Sequence, residues 1–100
     1  MFIHIVLWKV RTPDDATSKE EVISQLLPNV QALPALIPQI RELAAGSDVL
    51  NTPSSYDFGL LVKFDSREDF LIYRDHPEHV KVGQQISAIA AERASIDFIN

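Results

Sequence analysis

The run YRDHPEHVKV, residues 73 to 82, brings a phenol close to two of the chain's three histidines. Imidazole moves protons near neutral pH, and a phenol can donate a hydrogen bond to a developing negative charge, so this set could serve acid/base chemistry. His79 would be the third residue of a helix starting at Pro77, and it opens a stripe continued by Val82, Gly83 and Ile86. It therefore points towards a core or a cavity. The positive end of that helix and burial both disfavour imidazolium, which leaves a neutral base. The plainer alternative makes His79 a core histidine satisfied by one hydrogen bond. Tyr73 closes the preceding helix; either it sends its hydroxyl into the same space, or its ring is ordinary core. His4 shares a strand face with Val6 and Trp8 and reads more readily as a hydrogen-bonded core group than as a catalyst. His76 reads as structural, its backbone set by Pro77.

Other chemistries find less support. His76 and His79 stand three apart with Asp75 and Glu78 beside them, but His76 precedes the helix, so no helical face presents both and no metal is expected. The three glycines, at 46, 59 and 83, are too scattered for a phosphate loop, and there is no G-x-S-x-G turn. The carboxylate pairs at 14–15 and 20–21 fall in a loop and a helix start, where solvation and capping account for them. With no cysteine, thiolate nucleophiles, disulfides and Cys-based metal sites are excluded, and a reducing cytoplasm is the expected location. A net charge of −5 without a basic cluster argues against nucleic acid. FIHIVLWKV is too short to span a bilayer and lacks the features of a secretion signal, so no membrane partner is expected.

One hundred residues with 46% apolar content make a single folded domain, 1–100. FIHIVLWKV (2–10) reads as a strand with two mainly apolar faces: Phe2, His4, Val6, Trp8 and Val10 on one, Ile3, Ile5, Leu7 and Lys9 on the other. Ser18 and Glu21 have capping-box spacing before a helical pattern at 22, 23, 26, 27, 30 and 33, with a kink or early end expected at Pro28. PALIP (34–38) reads as a turn, and IRELAAGSDV (40–49) as either helix or strand. YDFGLLVKFD (56–65) alternates as a strand, Ser66 and Asp69 cap a short helix to Tyr73 or Arg74, and a helix from about 77 to 91 precedes a strand at 94–99. The plan is α+β, an antiparallel sheet with helices on one face. One helical layer covers only one side of the first strand, so the other needs a cover, most simply a second copy about a two-fold axis.

HIVLWKV, IPQIRELAAGSDV, YDFGLLVKFDSREDFLIYRDHPEHVKV and the closing IDF together resemble the stress-responsive dimeric α+β barrel (Dabb) family across nearly the whole chain. The resemblance implies a ferredoxin-like protomer with a four-stranded antiparallel sheet, residues 40–49 as strand, and two sheets packed face to face in a homodimer. It places a pocket between sheet and helices, lined by His4, Val6, Trp8, Phe58 and Leu60, with Val82 from the later helix. It also carries over the roles of a plant polyketide cyclase of the family: His79 as the base that abstracts an α-proton, Tyr73 as oxyanion donor and His4 as support, with no cofactor. Three readings of function follow: a dimer binding a small carbonyl or aromatic compound, a cofactor-free cyclase or isomerase (a monooxygenase-like reaction being a variant), and a structural dimer without chemistry. An open cavity bordered by Tyr73 and His79 favours an enzyme. A cavity plugged by Trp8, with His79 bonded to backbone, favours the structural dimer.

Overall fold

The computed structural model describes residues 1–100. Strands β1 (Phe2–Val10), β2 (Glu42–Ser47), β3 (Phe58–Phe64) and β4 (Ala90–Ile99) form one antiparallel sheet in the order β2-β3-β1-β4. Helices α1 (Lys19–Gln31), α2 (Leu33–Leu36), α3 (Arg67–Asp75) and α4 (Pro77–Ser87) cover one of its faces. This is the expected ferredoxin-like α+β plan with one addition, since the PALIP turn is entered through the single helical turn of α2.

Alternation decides which side of each strand is buried. Phe2, His4, Val6, Trp8 and Val10 of β1 lie under the helices beside Phe58, Leu60, Val62 and Phe64 of β3. α1 contributes Val22, Ile23, Leu26 and Val30, and α4 contributes Val82 and Ile86. Helix starts follow the caps read from sequence: Ser18 Oγ accepts from the Glu21 N–H at 3.1 Å, and Ser66 Oγ from the Asp69 N–H at 3.1 Å.

The opposite face has no helix over it. Leu7, Ile96 and Phe98 are exposed there, and Ile5 and Leu61 half-buried, with Ala44 beside them on β2. Gly59 keeps this surface flat: a Cβ on it would sit 3.1 Å from Leu7 Cδ2. The ion pairs Lys9–Glu92 (3.3 Å) and Lys63–Glu42 (2.9 Å) bracket the apolar centre at opposite ends.

Two boundaries differ from expectation and one segment that local pattern left open is decided, each because packing overrides local preference. α1 runs through Pro28 to Gln31 with no early end, since Val30, and Leu33 just beyond it, are buried on its far side. β2 is a strand although Glu-Leu-Ala-Ala favours helix, because it pairs along β3, with Leu43 opposite Val62. Most consequentially, α4 ends at Ser87 and β4 begins at Ala90, four residues before the expected start at 94. β1 is long enough to pair residues 90–93, so Lys9 faces Glu92 and Trp8 faces Arg93, with a bulge between Lys9 and Val10. Ladder hydrogen bonds outweigh the helical preference of Ala-Ala-Glu-Arg, and Arg93 arrives on the helix-covered face as a result.

Candidate functional site

α3 and α4 meet at His76, which ends one helix and begins the other. Its N–H donates to the Tyr73 carbonyl at 3.2 Å, and its ring Nδ1 accepts from the Glu78 N–H at 3.1 Å. Pro77 takes the first helical position, where its missing N–H costs nothing. His76 thus caps the helix, as its structural reading required, and does not line the cavity. The sharp turn it makes brings Tyr73, in the last turn of α3, against His79, in the first turn of α4, with ring centroids 4.3 Å apart.

Both rings border a cavity of about 170 Å³ between the helices and the sheet. His79 Nδ1–H donates to the Arg74 carbonyl at 2.9 Å, one of the carbonyls left without a helical partner at the end of α3. That bond fixes the tautomer and leaves Nε2 with a free lone pair. Burial lowers the His79 pKa from its ordinary value; the Arg74 hydrogen bond opposes this, and nearby positive charge, Arg93 included, adds to it. His79 is therefore a neutral imidazole at pH 7, with one nitrogen committed to backbone and one available. Tyr73 is 1% exposed, and its hydroxyl is a buried polar atom with no hydrogen-bond partner. Burial pushes its pKa well above the ordinary tyrosine value, so the group remains a donor. The other such orphan, Gln39 Oε1, belongs to a residue that does not border the cavity.

His4 reaches the cavity from β1. Its Nδ1–H donates to Asp97, its direct partner across the β1–β4 ladder, and its ring lies 4.9 Å from that of Phe70 and 6.4 Å from that of Tyr73. The carboxylate holds the imidazole in one orientation, which is a supporting arrangement and also a satisfied one.

Of the apolar residues expected to line the pocket, Val6, Trp8, Leu60 and Val82 do so. Trp8 forms a wall and leaves the space open, because its indole stacks on Phe58 at 4.6 Å between centroids, nearly parallel at 18°. Phe58 is accordingly a backing for Trp8 and not a lining residue. Sequence reasoning missed Arg93 and Ala90, since both depended on where β4 begins, and Ser87, at the end of α4. Counting inward-facing positions back from Asp97 along β4 would have reached Arg93, had the strand been extended to match β1.

The sheet order, the paired helices on one face and the pocket beneath them define a ferredoxin-like α+β protomer. The family model of the stress responsive A/B barrel domain matches residues 2–100, and the chain belongs to this family. It is 30% identical over 98 residues to a stress-response A/B barrel domain-containing protein of Arabidopsis thaliana, covering 96% of this chain and 35% of that protein, so it spans about a third of that relative's length. A dimeric protein of unknown function with a ferredoxin-like fold from Bacteroides fragilis is similar at 32% identity with a TM-score of 0.83, over 99% of this chain and 95% of the other. The hydroxynitrile lyase of Passiflora edulis has the same fold, with a TM-score of 0.82 at 18% identity, over 99% and 93% of the two chains. No helix here is long and apolar enough to cross a membrane.

Proposed function

We propose that the protein is a homodimer, joined through the uncovered sheet face, whose cavity binds a small carbonyl or aromatic compound. A cavity of about 150 Å³ is known to hold a benzene ring, so this one suits a single ring with a short substituent. The observation that carries the reading is that Tyr73 and His79, each with an uncommitted polar atom (the hydroxyl and Nε2), stand side by side in the lining of one apolar cavity. An unpartnered buried hydroxyl is costly and asks for an acceptor from a ligand. Dimerisation is supported by the exposed apolar face and by the dimeric Bacteroides fragilis relative. The cysteine-free sequence fits a cytoplasmic setting.

In this reading His79 Nε2 takes a proton from the carbon next to a carbonyl, and the electron pair moves onto the oxygen as an enolate. Tyr73 O–H donates to that oxygen, and the imidazolium returns the proton to the enolate or to an intermediate derived from it. The step requires no oxidant. A cyclase or isomerase would use it; a binding dimer would use only the pocket. This second reading has its own support, since His79 also fastens α4 to the end of α3 through the Arg74 carbonyl.

Deuterium exchange into the methyl group of acetophenone, followed by NMR in D2O, separates them. Exchange above the buffer rate, reduced about 100-fold or more in His79→Gln, supports the base. Binding detected through Trp8, the single tryptophan, without exchange would leave a binding protein and remove the catalyst.

A further inference from the structure

Six of the nine Lys and Arg residues pair with a carboxylate of this chain: Lys9, Lys19, Arg41, Lys63, Arg74 and Lys81. Arg11 is occupied by the Ala90 carbonyl at 2.9 Å, and Arg67, also without an ion pair, stands at the start of α3 and does not line the cavity. Arg93 has no acidic partner, although the chain carries 14 Asp and Glu residues, and its one side-chain hydrogen bond is a long one, 3.3 Å from Nη1 to Ser95 Oγ. It is also the only Lys or Arg lining the cavity, and no Asp or Glu lines it. Asp97, the acid on the same face of β4, is engaged by His4, and the adjacent Glu92 is on the opposite face and pairs with Lys9.

We infer that the ligand of this cavity carries a carboxylate, held by the Arg93 guanidinium, in addition to the carbonyl or ring addressed by Tyr73 and His79. The inference rests on the cavity being a ligand site, as proposed above. Its geometry comes from the ladder. Arg93 is opposite Trp8 and Asp97 is opposite His4, so the guanidinium and the His4 imidazole start from strand positions about 13 Å apart. Leu60, Val6 and Val82 line the apolar space between. A permanent cation at the solvent-exposed edge of an apolar cavity, without a counter-charge, attracts an anion, and guanidinium matches carboxylate geometry with two parallel N–H donors. The class of molecule is a small apolar carboxylic acid, in its reactive form one that also bears a ketone.

Phenylacetate, phenylacetamide and acetophenone test this by titration against Trp8 fluorescence in the intact protein. Phenylacetate is expected to bind about tenfold or more tightly than phenylacetamide, the order a charge-assisted hydrogen bond supplies. Arg93→Gln should bring the two within about twofold and weaken phenylacetate far more than acetophenone, and Arg93→Lys should restore part of the preference. Arg93 is exposed and makes one weak contact, so these variants should keep the fold. Equal binding of acid and amide by wild type, or a preference that survives Arg93→Gln, overturns the carboxylate assignment and leaves the pocket reading intact. Failure of all three compounds to bind overturns both.

Discussion

The two faces of one sheet are built for different neighbours. On the helix-covered face, apolar residues are interrupted at their centre by polar groups: His4 stands between Phe2 and Val6, and Arg93 lies opposite Trp8. Two of the polar residues that line the cavity, Tyr73 and Arg93, carry polar groups with no strong partner within the chain. On the uncovered face the order is reversed. Its centre is Ile5, Leu7, Leu61 and Ile96, and its charges sit at the ends, already paired as Lys9–Glu92 and Lys63–Glu42. An apolar centre with a self-satisfied polar rim is the layout of a protein–protein interface. Unsatisfied polar groups within an apolar wall are the layout of a small-molecule site. In the proposed function, the difference separates dimerisation from ligand binding as jobs of opposite faces.

The largest effect should come from charging the uncovered face. Leu7 is 39% exposed in the protomer, lies across Gly59, and sits at the centre of the proposed interface. Leu7→Glu should leave the circular dichroism spectrum of the protomer nearly unchanged but cost the dimer roughly 3 kcal/mol or more, because an uncompensated carboxylate would be buried in each copy. Sedimentation of wild type and variant checks it. A wild-type monomer, or a variant dimer of undiminished affinity, would break the division between the faces.

A change of opposite sign is expected inside. Tyr73→Phe removes a buried hydroxyl that no protein group satisfies, so thermal stability should hold or rise, by up to about 1–3 kcal/mol, while affinity for acetophenone falls. The same residue sets an alkaline limit. Its native pKa is raised by burial, so its contribution is intact below the unfolded value of 10.0 and is lost as pH rises above it, when the unfolded chain ionises more readily. Tyr73→Phe should therefore flatten the alkaline loss of stability. A drop in stability at neutral pH would instead mean that the hydroxyl is satisfied in solution.

Much of this was legible in the chain. Alternation along 2–10 and 58–64 gave both strand faces, and Ser18, Ser66 and Pro77 marked helix starts, because those signals arise from contacts a few residues apart. The two-sided apolar character of β1 pointed to a second layer. What local pattern could not give were outcomes decided across the sheet. The Glu42–Ser47 segment is a strand only because β3 offers it a ladder, and Ala90–Arg93 only because β1 extends that far. Arg93 was hidden for that reason, and the resemblance offered no role for it. Phe58 was placed on the correct face, yet one layer too near the ligand, since alternation gives a side chain's direction and not what stands in front of it.

The smallest effect separates the two histidines of HPEH most finely. His76 is spent on a helix cap, whereas His79 has a lowered pKa whose first cause is burial. Above the ordinary value of about 6.5 both folded and unfolded chains hold His79 neutral, and its contribution is fully present. As pH falls below that value the unfolded chain takes a proton that the native protein resists, so stability is lost until the native group is protonated too. His79→Gln should remove this portion of the slope between about pH 7 and pH 5, even if losing the Arg74 hydrogen bond shifts stability as a whole. The slope and not the level carries the information. Thermal midpoints taken at one protein concentration, so that dimerisation is constant, measure it. An identical slope in wild type and His79→Gln would mean that the imidazole is protonated as easily in the fold as outside it, and a group so readily charged could not wait at that cavity as a neutral base.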